Sequence, residues 1–188
     1  ATMRALMRFY KVTVYCQEIP NLVLSAEVDE LGINAGLQDR VIQTYEGCTY
    51  MDFDPALMKK QGYGRYEQLD PTLLPKLYIA YKTDLGKVSG GVFNDVRARY
   101  EKGDQHVIST LDEIAHCAEE GKEAILNKNY EKLNELIDRN FDLRKSIMNI
   151  SESNMELINT ARSCGASAKF TGSGGSIIGI FKDDEMLT

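Results

Sequence analysis

The chain has 188 residues, with 22 Lys+Arg against 28 Asp+Glu, a formal charge of -6 and a pI near 5.1. That acidic balance argues against a surface built to neutralise a phosphate backbone or coat an anionic membrane. Apolar residues at 43% and charged residues at 27% describe an ordinary globular chain. No run approaches the roughly 18 apolar residues that a membrane helix needs.

Met3, Leu6, Met7 and Tyr10 fall at i, i+3, i+4 and i+7 and predict a helix already running by the third residue, with Thr2 its one candidate cap. The chain opens without Met and without a turn before this pattern, so it reads as truncated at its N-terminus. Arg4, Arg8 and Lys11 interrupt the apolar residues there, unlike a signal peptide. Leu22 to Leu31 and Leu37 to Tyr45 read as helices ending near Gly32 and Gly47, joined by the loop Gly32-Ile-Asn-Ala-Gly36. Cys48 to Phe53 and Arg65 to Leu69 have strand character.

Asp70-Pro71 and Leu74-Pro75 then punctuate the chain before the short strand Leu77 to Tyr81. We therefore expect two domains, 1–72 and 73–188. The second is mostly helical. Val92, Phe93, Val96 and Tyr100 mark a helix that Gly103 stops. Helical spacing then links Val107, Ile108, Leu111, Ile114, Ala115, Ala118 and Ile125, and after them Tyr130, Leu133, Leu136, Ile137, Phe141 and Ile147. Such stripes predict core faces of antiparallel helices. Ser153 to Glu156 fits a capping box for one more helix. Strands at Ala168 to Thr171 and Ile177 to Phe181 flank a glycine loop, and Lys182 to Thr188 reads as a turn entering a further element.

Cys16, Cys48, Cys117 and Cys164 show no C-x-x-C pairing, which predicts buried thiols in a reducing, cytoplasmic setting. His106 and His116 lie 10 apart, not at the spacing of a helical metal pair. Two candidates for chemistry remain. Thr171-Gly-Ser-Gly-Gly-Ser176 exposes backbone N–H groups to an anion or a sugar, or is only a tight hairpin turn. It is neither a P-loop nor a dinucleotide fingerprint, because no Gly-Lys-Ser/Thr and no helix follow. Asp39, at a helix start, is either an N-cap or a fixed carboxylate near a substrate hydroxyl, with Glu27 on the preceding helix able to supply a second carboxylate for Mg²⁺.

Taken together, Gly32 to Arg40 and Thr171 to Gly175 resemble the galactokinase, homoserine kinase, mevalonate kinase and phosphomevalonate kinase (GHMP) superfamily. Leu31 to Arg40, Tyr50-Met-Asp-Phe53, Asn140-Phe-Asp-Leu-Arg144 and Ala168 to Gly175 are similar to its glucuronokinase-like sugar-1-kinase branch. The resemblance implies an α+β, two-lobed kinase fold: part of an N-terminal lobe, then a ferredoxin-like C-terminal lobe with long antiparallel helices, cut short at its end. It implies Asp39 as the catalytic aspartate, Glu27 as the Mg²⁺ ligand, and Gly172, Ser173, Gly174 and Gly175 as residues close to substrate. Arg40 and Arg144 are candidates for a substrate carboxylate, which a guanidinium recognises in bidentate fashion, or else surface ion pairs.

The implied activity is ATP- and Mg²⁺-dependent phosphorylation of the anomeric hydroxyl of a sugar, glucuronate before others. The family's Pro-x-x-x-Gly-Leu-x-Ser-Ser phosphate loop does not occur in this sequence, so the chain by itself is expected to be inactive. The alternatives are a kinase for a heptose, fucose or galactose, and a non-catalytic sugar-binding relative. Expected partners are a sugar or uronic acid and, as an option, a second copy in a homodimer, with neither nucleic acid nor membrane.

Overall fold

In the computed structural model the chain begins in helix α1 (Thr2–Tyr10), whose cap position is Ala1 without any side-chain cap; Thr2 lies inside the helix instead of capping it. The structure describes residues 1–33, 35–83 and 91–187, so Asn34 of the first glycine loop and Thr188 lie outside the described residues. The elements are an α+β mixture that divides into two compact units, Ala1–Thr72 and Leu73–Thr188.

In the first unit, α2 (Ile19–Ser25) starts three residues before Leu22, because Pro20 sits in its first turn, where a missing N–H costs nothing. The helix runs on into one π-helical turn, Ala26–Glu30, before Gly32 turns the chain. Helix α3 (Leu37–Tyr45) follows and packs against α2, with Val41 fully buried. Strands β1 (Cys48–Asp52) and β2 (Arg65–Leu69) pair antiparallel, Cys48 opposite Leu69 and Asp52 opposite Arg65. Between them lies α4 (Pro55–Gln61), which the sequence reading did not include. The Asp54 side chain accepts from Leu57 N at 2.8 Å, Pro55 opens the helix and Gly62 ends it.

The second unit holds β3 (Leu77–Tyr81), α5 (Gly91–Glu101), α6 (Gln105–Leu126), α7 (Tyr130–Ile147), α8 (Glu152–Ser163), β4 (Lys169–Phe170) and β5 (Ser176–Ile180). Its strands form an antiparallel sheet in the order β3-β5-β4, with Leu77 opposite Ile180 and Lys169 opposite Ile178. Asp104 caps α6 and Asn129 caps α7, and the three-residue connection between them makes a helical hairpin. The buried face of α6 is Val107, Thr110, Cys117, Gly121 and Ala124, whereas Ala115 and Ala118 are exposed. That face packs on α7, and at Gly121 a Cβ would make an ordinary van der Waals contact with Leu133 Cδ1 at 3.8 Å.

Helix α8 starts two residues earlier than the capping box implied. Ser151, not Ser153, is the cap, and its hydroxyl accepts from Asn154 N. That register turns Asn154 inward. The core joins Phe141 of α7, Ile158 of α8, and Ala168, Phe170 and Ile177 of the sheet segment, with the Phe141 and Phe170 rings edge-to-face at 5.2 Å. Arg162 of α8 bonds Asp138 Oδ1 at 3.0 Å and Asp142 Oδ1 at 2.8 Å, and Asp138 also accepts from Ala168 N at 2.9 Å. This network fixes where β4 begins, and so where the residues after it stand. No helix among the described residues is long and apolar enough to cross a membrane.

Candidate functional site

The candidate residues fall into two sets, one in each unit. In the first unit Asp39 lies in the first turn of α3, where a carboxylate is favoured by the helix dipole. Arg40 beside it pairs through Nη2 with Glu27 Oε2 from the π-helical turn. Through Nη1 it reaches Asp39 Oδ2 at 3.3 Å and donates to Gly36 O at 3.3 Å. One guanidinium therefore ties both carboxylates and the loop before α3 together. Ile33 N closes the other side of that loop by donating to Glu27 O at 2.9 Å.

Exposure separates the roles these groups can take. The side chains of Arg40 and Glu27 are 15% and 27% exposed, but that of Asp39 is 75% exposed. Asp39 can thus accept a hydrogen bond from an incoming hydroxyl, while Arg40 holds it from the flank. Glu27 is bonded to Arg40 through one carboxylate oxygen only. Mg²⁺ needs no all-protein cage, since one or two carboxylates with substrate phosphates suffice. Glu27 fits that limited part and would share its carboxylate with Arg40. Among the described residues there is no group of three or more His, Cys, Asp or Glu able to hold a metal unaided.

In the second unit the glycine loop closes a hairpin, with Thr171 N donating to Ser176 O at 3.2 Å and the two hydroxyls in short contact. Gly174 has φ +135°, and a Cβ there would meet Asn154 Nδ2 at 2.8 Å. Asn154 is buried and accepts from Gly175 N at 2.8 Å. Its role was missed in the sequence because Ser153 was read as the helix cap. Arg144, on α7, donates to Gly172 O at 2.9 Å with its guanidinium 6.0 Å from the Phe170 ring centre.

Lys169 was also missed, appearing in the sequence only as part of a strand motif. Its ammonium donates to Phe170 O at 3.2 Å, so two cations end on carbonyls of one short segment. Burial holds both below their usual range, and the neighbouring Arg144 lowers Lys169 further. A cavity of about 420 Å³ between β3 and α8 lies elsewhere in this unit. It is lined largely by apolar groups such as Ala80, Leu157 and Ile177, and none of the sequence-predicted site residues lines it.

Residues 122–186 match the family model described as GHMP kinases C terminal. The chain is thus similar to GHMP kinases over that segment and to glucuronokinases over most of its own length. It is 46% identical over 184 residues to "Probable glucuronokinase 2" of Arabidopsis thaliana and 44% identical over 183 residues to "Glucuronokinase 1" of the same plant. Each match covers 95% of this chain and 50% of the relative, so the chain spans about half the length of the curated relatives it matches. The crystal structure of a Lin0012 protein from Listeria innocua shares the fold, with a TM-score of 0.79 over 98% of this chain and 57% of that one, at 19% identity.

Proposed function

We propose that the whole protein is an ATP-dependent sugar-1-kinase whose acceptor is glucuronate. The observation that carries this reading is the 44–46% identity to two plant glucuronokinases across 95% of the chain. The exposed Asp39, flanked by Arg40, fits the part that such a reaction asks of a carboxylate. Phosphoryl transfer depends mainly on positioning and on stabilising charge, with a single group orienting or deprotonating the accepting hydroxyl.

In this reading Asp39 receives the proton of the anomeric hydroxyl or orients that hydroxyl toward the γ-phosphoryl. Arg40 is a positioning residue for Asp39 and Glu27. Glu27 is the residue that would hold Mg²⁺, which when bound neutralises charge on the nucleotide phosphates. Gly172, Ser173, Gly174 and Gly175 form a loop close to substrate, and Arg144 is the freer of the two candidate arginines for a substrate carboxylate, since Arg40 is already shared by Glu27, Asp39 and Gly36 O. A coupled ADP-release assay of the whole protein with glucuronate, galacturonate, glucose, galactose and fucose tests the reading. Turnover highest with glucuronate is expected. Turnover with a neutral sugar and none with glucuronate would replace the substrate assignment.

A further inference from the structure

Arg40 holds the same carboxylate that the kinase reading gives to Mg²⁺. Its Nη2 pairs with Glu27 Oε2, while Nη1 reaches Asp39 Oδ2 and Gly36 O, each at 3.3 Å. A guanidinium stays protonated throughout the working pH range, so this cation can leave Glu27 only by moving. The fold restrains that movement. Arg40 follows Asp39 on α3, and the next residue, Val41, is fully buried. Arg40 Nε is itself buried, with no hydrogen-bond partner among the described residues. Glu27 is fixed from the other side by the π-helical turn, its carbonyl accepting from Ile33 N at 2.9 Å.

One carboxylate thus faces two claimants of like charge. Mg²⁺ takes about six oxygens in near-octahedral geometry, usually from one or two carboxylates with phosphates and waters. A metal on Glu27 would neighbour the Arg40 guanidinium, in a partly buried setting where water and salt screen little. That repulsion lowers the affinity of Glu27 for a lone cation. Phosphate oxygens reverse the balance, because they add negative charge and supply the ligands that a single carboxylate lacks.

We propose that Arg40 is a resident counter-ion that competes with the metal for Glu27, so that Glu27 takes a divalent cation only together with a polyphosphate. Arg40 is then a second determinant of metal affinity, besides the carboxylate itself. As Glu27 turns to the metal, Arg40 keeps its contacts with Asp39 and Gly36 O, and its charge falls to Asp39 alone. Loading of the metal site is thereby coupled to the carboxylate proposed to meet the sugar hydroxyl. The identity of the metal and of its ligand rests on the kinase reading above, but the competition is read from binding and needs no turnover.

The sign of the effect separates competition from support. Removing an arginine that only supports Glu27 leaves metal affinity unchanged or lowers it. Removing a competing arginine raises it, and a lysine in its place keeps the affinity low.

The test is Mn²⁺ binding to the whole protein without sugar or nucleotide, followed by electron paramagnetic resonance. The parent is compared with Arg40→Met, Arg40→Lys and the double variant that joins Arg40→Met to Glu27→Gln. Arg40→Met should bind Mn²⁺ about tenfold or more tighter than the parent. Arg40→Lys should stay near the parent, and the double variant should lose the gain. A second measurement needs no substitution. In heteronuclear NMR of the parent bound to a non-hydrolysable ATP analogue, added Mg²⁺ should shift the Arg40 Nε–H signal. The proposal is overturned if Arg40→Met binds Mn²⁺ no tighter than the parent, if the gain survives loss of Glu27, or if the Nε–H signal does not move. Absence of ADP release with every sugar, alongside the gain in Arg40→Met, would instead remove the kinase reading and leave the competition standing.

Discussion

Asn154 Oδ1 accepts the amide proton of Gly175 at 2.8 Å, which makes a buried side chain of α8 the anchor of the glycine loop. Replacing Asn154 with Ala would leave that amide and the backbone around Gly174 without their support. We expect a loss of about 1–3 kcal/mol in urea denaturation. An unchanged midpoint would mean that the loop is held by its hairpin bonds alone.

Gly174 gives a second view of the same anchor. Its φ of +135° is strained for any L side chain, and a Cβ would press on Asn154 Nδ2. Gly174→Ala should destabilise by about 1–3 kcal/mol. Gly172→Ala should cost far less, because nothing lies within 4 Å of a Cβ at that position. The contrast between the two variants, measured side by side, is the check.

Arg40 joins Glu27, Asp39 and Gly36 O, so Arg40→Met should leave both carboxylates and the loop carbonyl without their shared cation. The expected loss is about 1–3 kcal/mol, larger than that of Asp39→Asn, whose side chain is mostly in water. Differential scanning calorimetry of both variants orders the two effects. The reverse order would show that Arg40 is not the organiser of this cluster.

Tyr78 and Tyr45 each have a phenol pushed up to about 12, first of all by burial. Tyr78 donates to Ser167 O at 2.7 Å across the sheet. A phenol whose folded pKa lies above its unfolded value near 10 stabilises the fold fully below that pH. The contribution is lost as pH rises from about 10 through 12. Melting temperatures measured from pH 9 upward should fall across this window, and less steeply in Tyr78→Phe. Identical slopes in the two proteins would remove Tyr78 from that account.

The helices and strands were legible wherever one period ran long enough, as in α7, where Leu133, Leu136, Phe141 and Ile147 are all buried. Helix α4 was not, because Pro55 to Gln61 is too short and polar to show a stripe, although Asp54-Pro55 and Gly62 punctuate it. In α6 the apolar spacing pointed at Ala115 and Ala118, but close packing with α7 selected the face with Cys117, Gly121 and Ala124. Asp39 and Glu27 could be paired from the motif, yet their bridge by Arg40 depends on a π-helical turn with no sequence signature. Lys169 and Asn154 gave no warning at all. Their roles come from a buried neighbour or a loop amide, which only the folded chain supplies.

The most direct test of the kinase reading is the ADP-release rate of the whole protein with ATP, Mg²⁺ and glucuronate, measured for the parent and for Asp39→Asn. Asn keeps the size of the side chain but cannot take the hydroxyl proton. A fall in kcat of about 10²–10⁴-fold, with the melting temperature unchanged, is expected. Full activity in Asp39→Asn would contradict the assignment of Asp39 as the catalytic carboxylate.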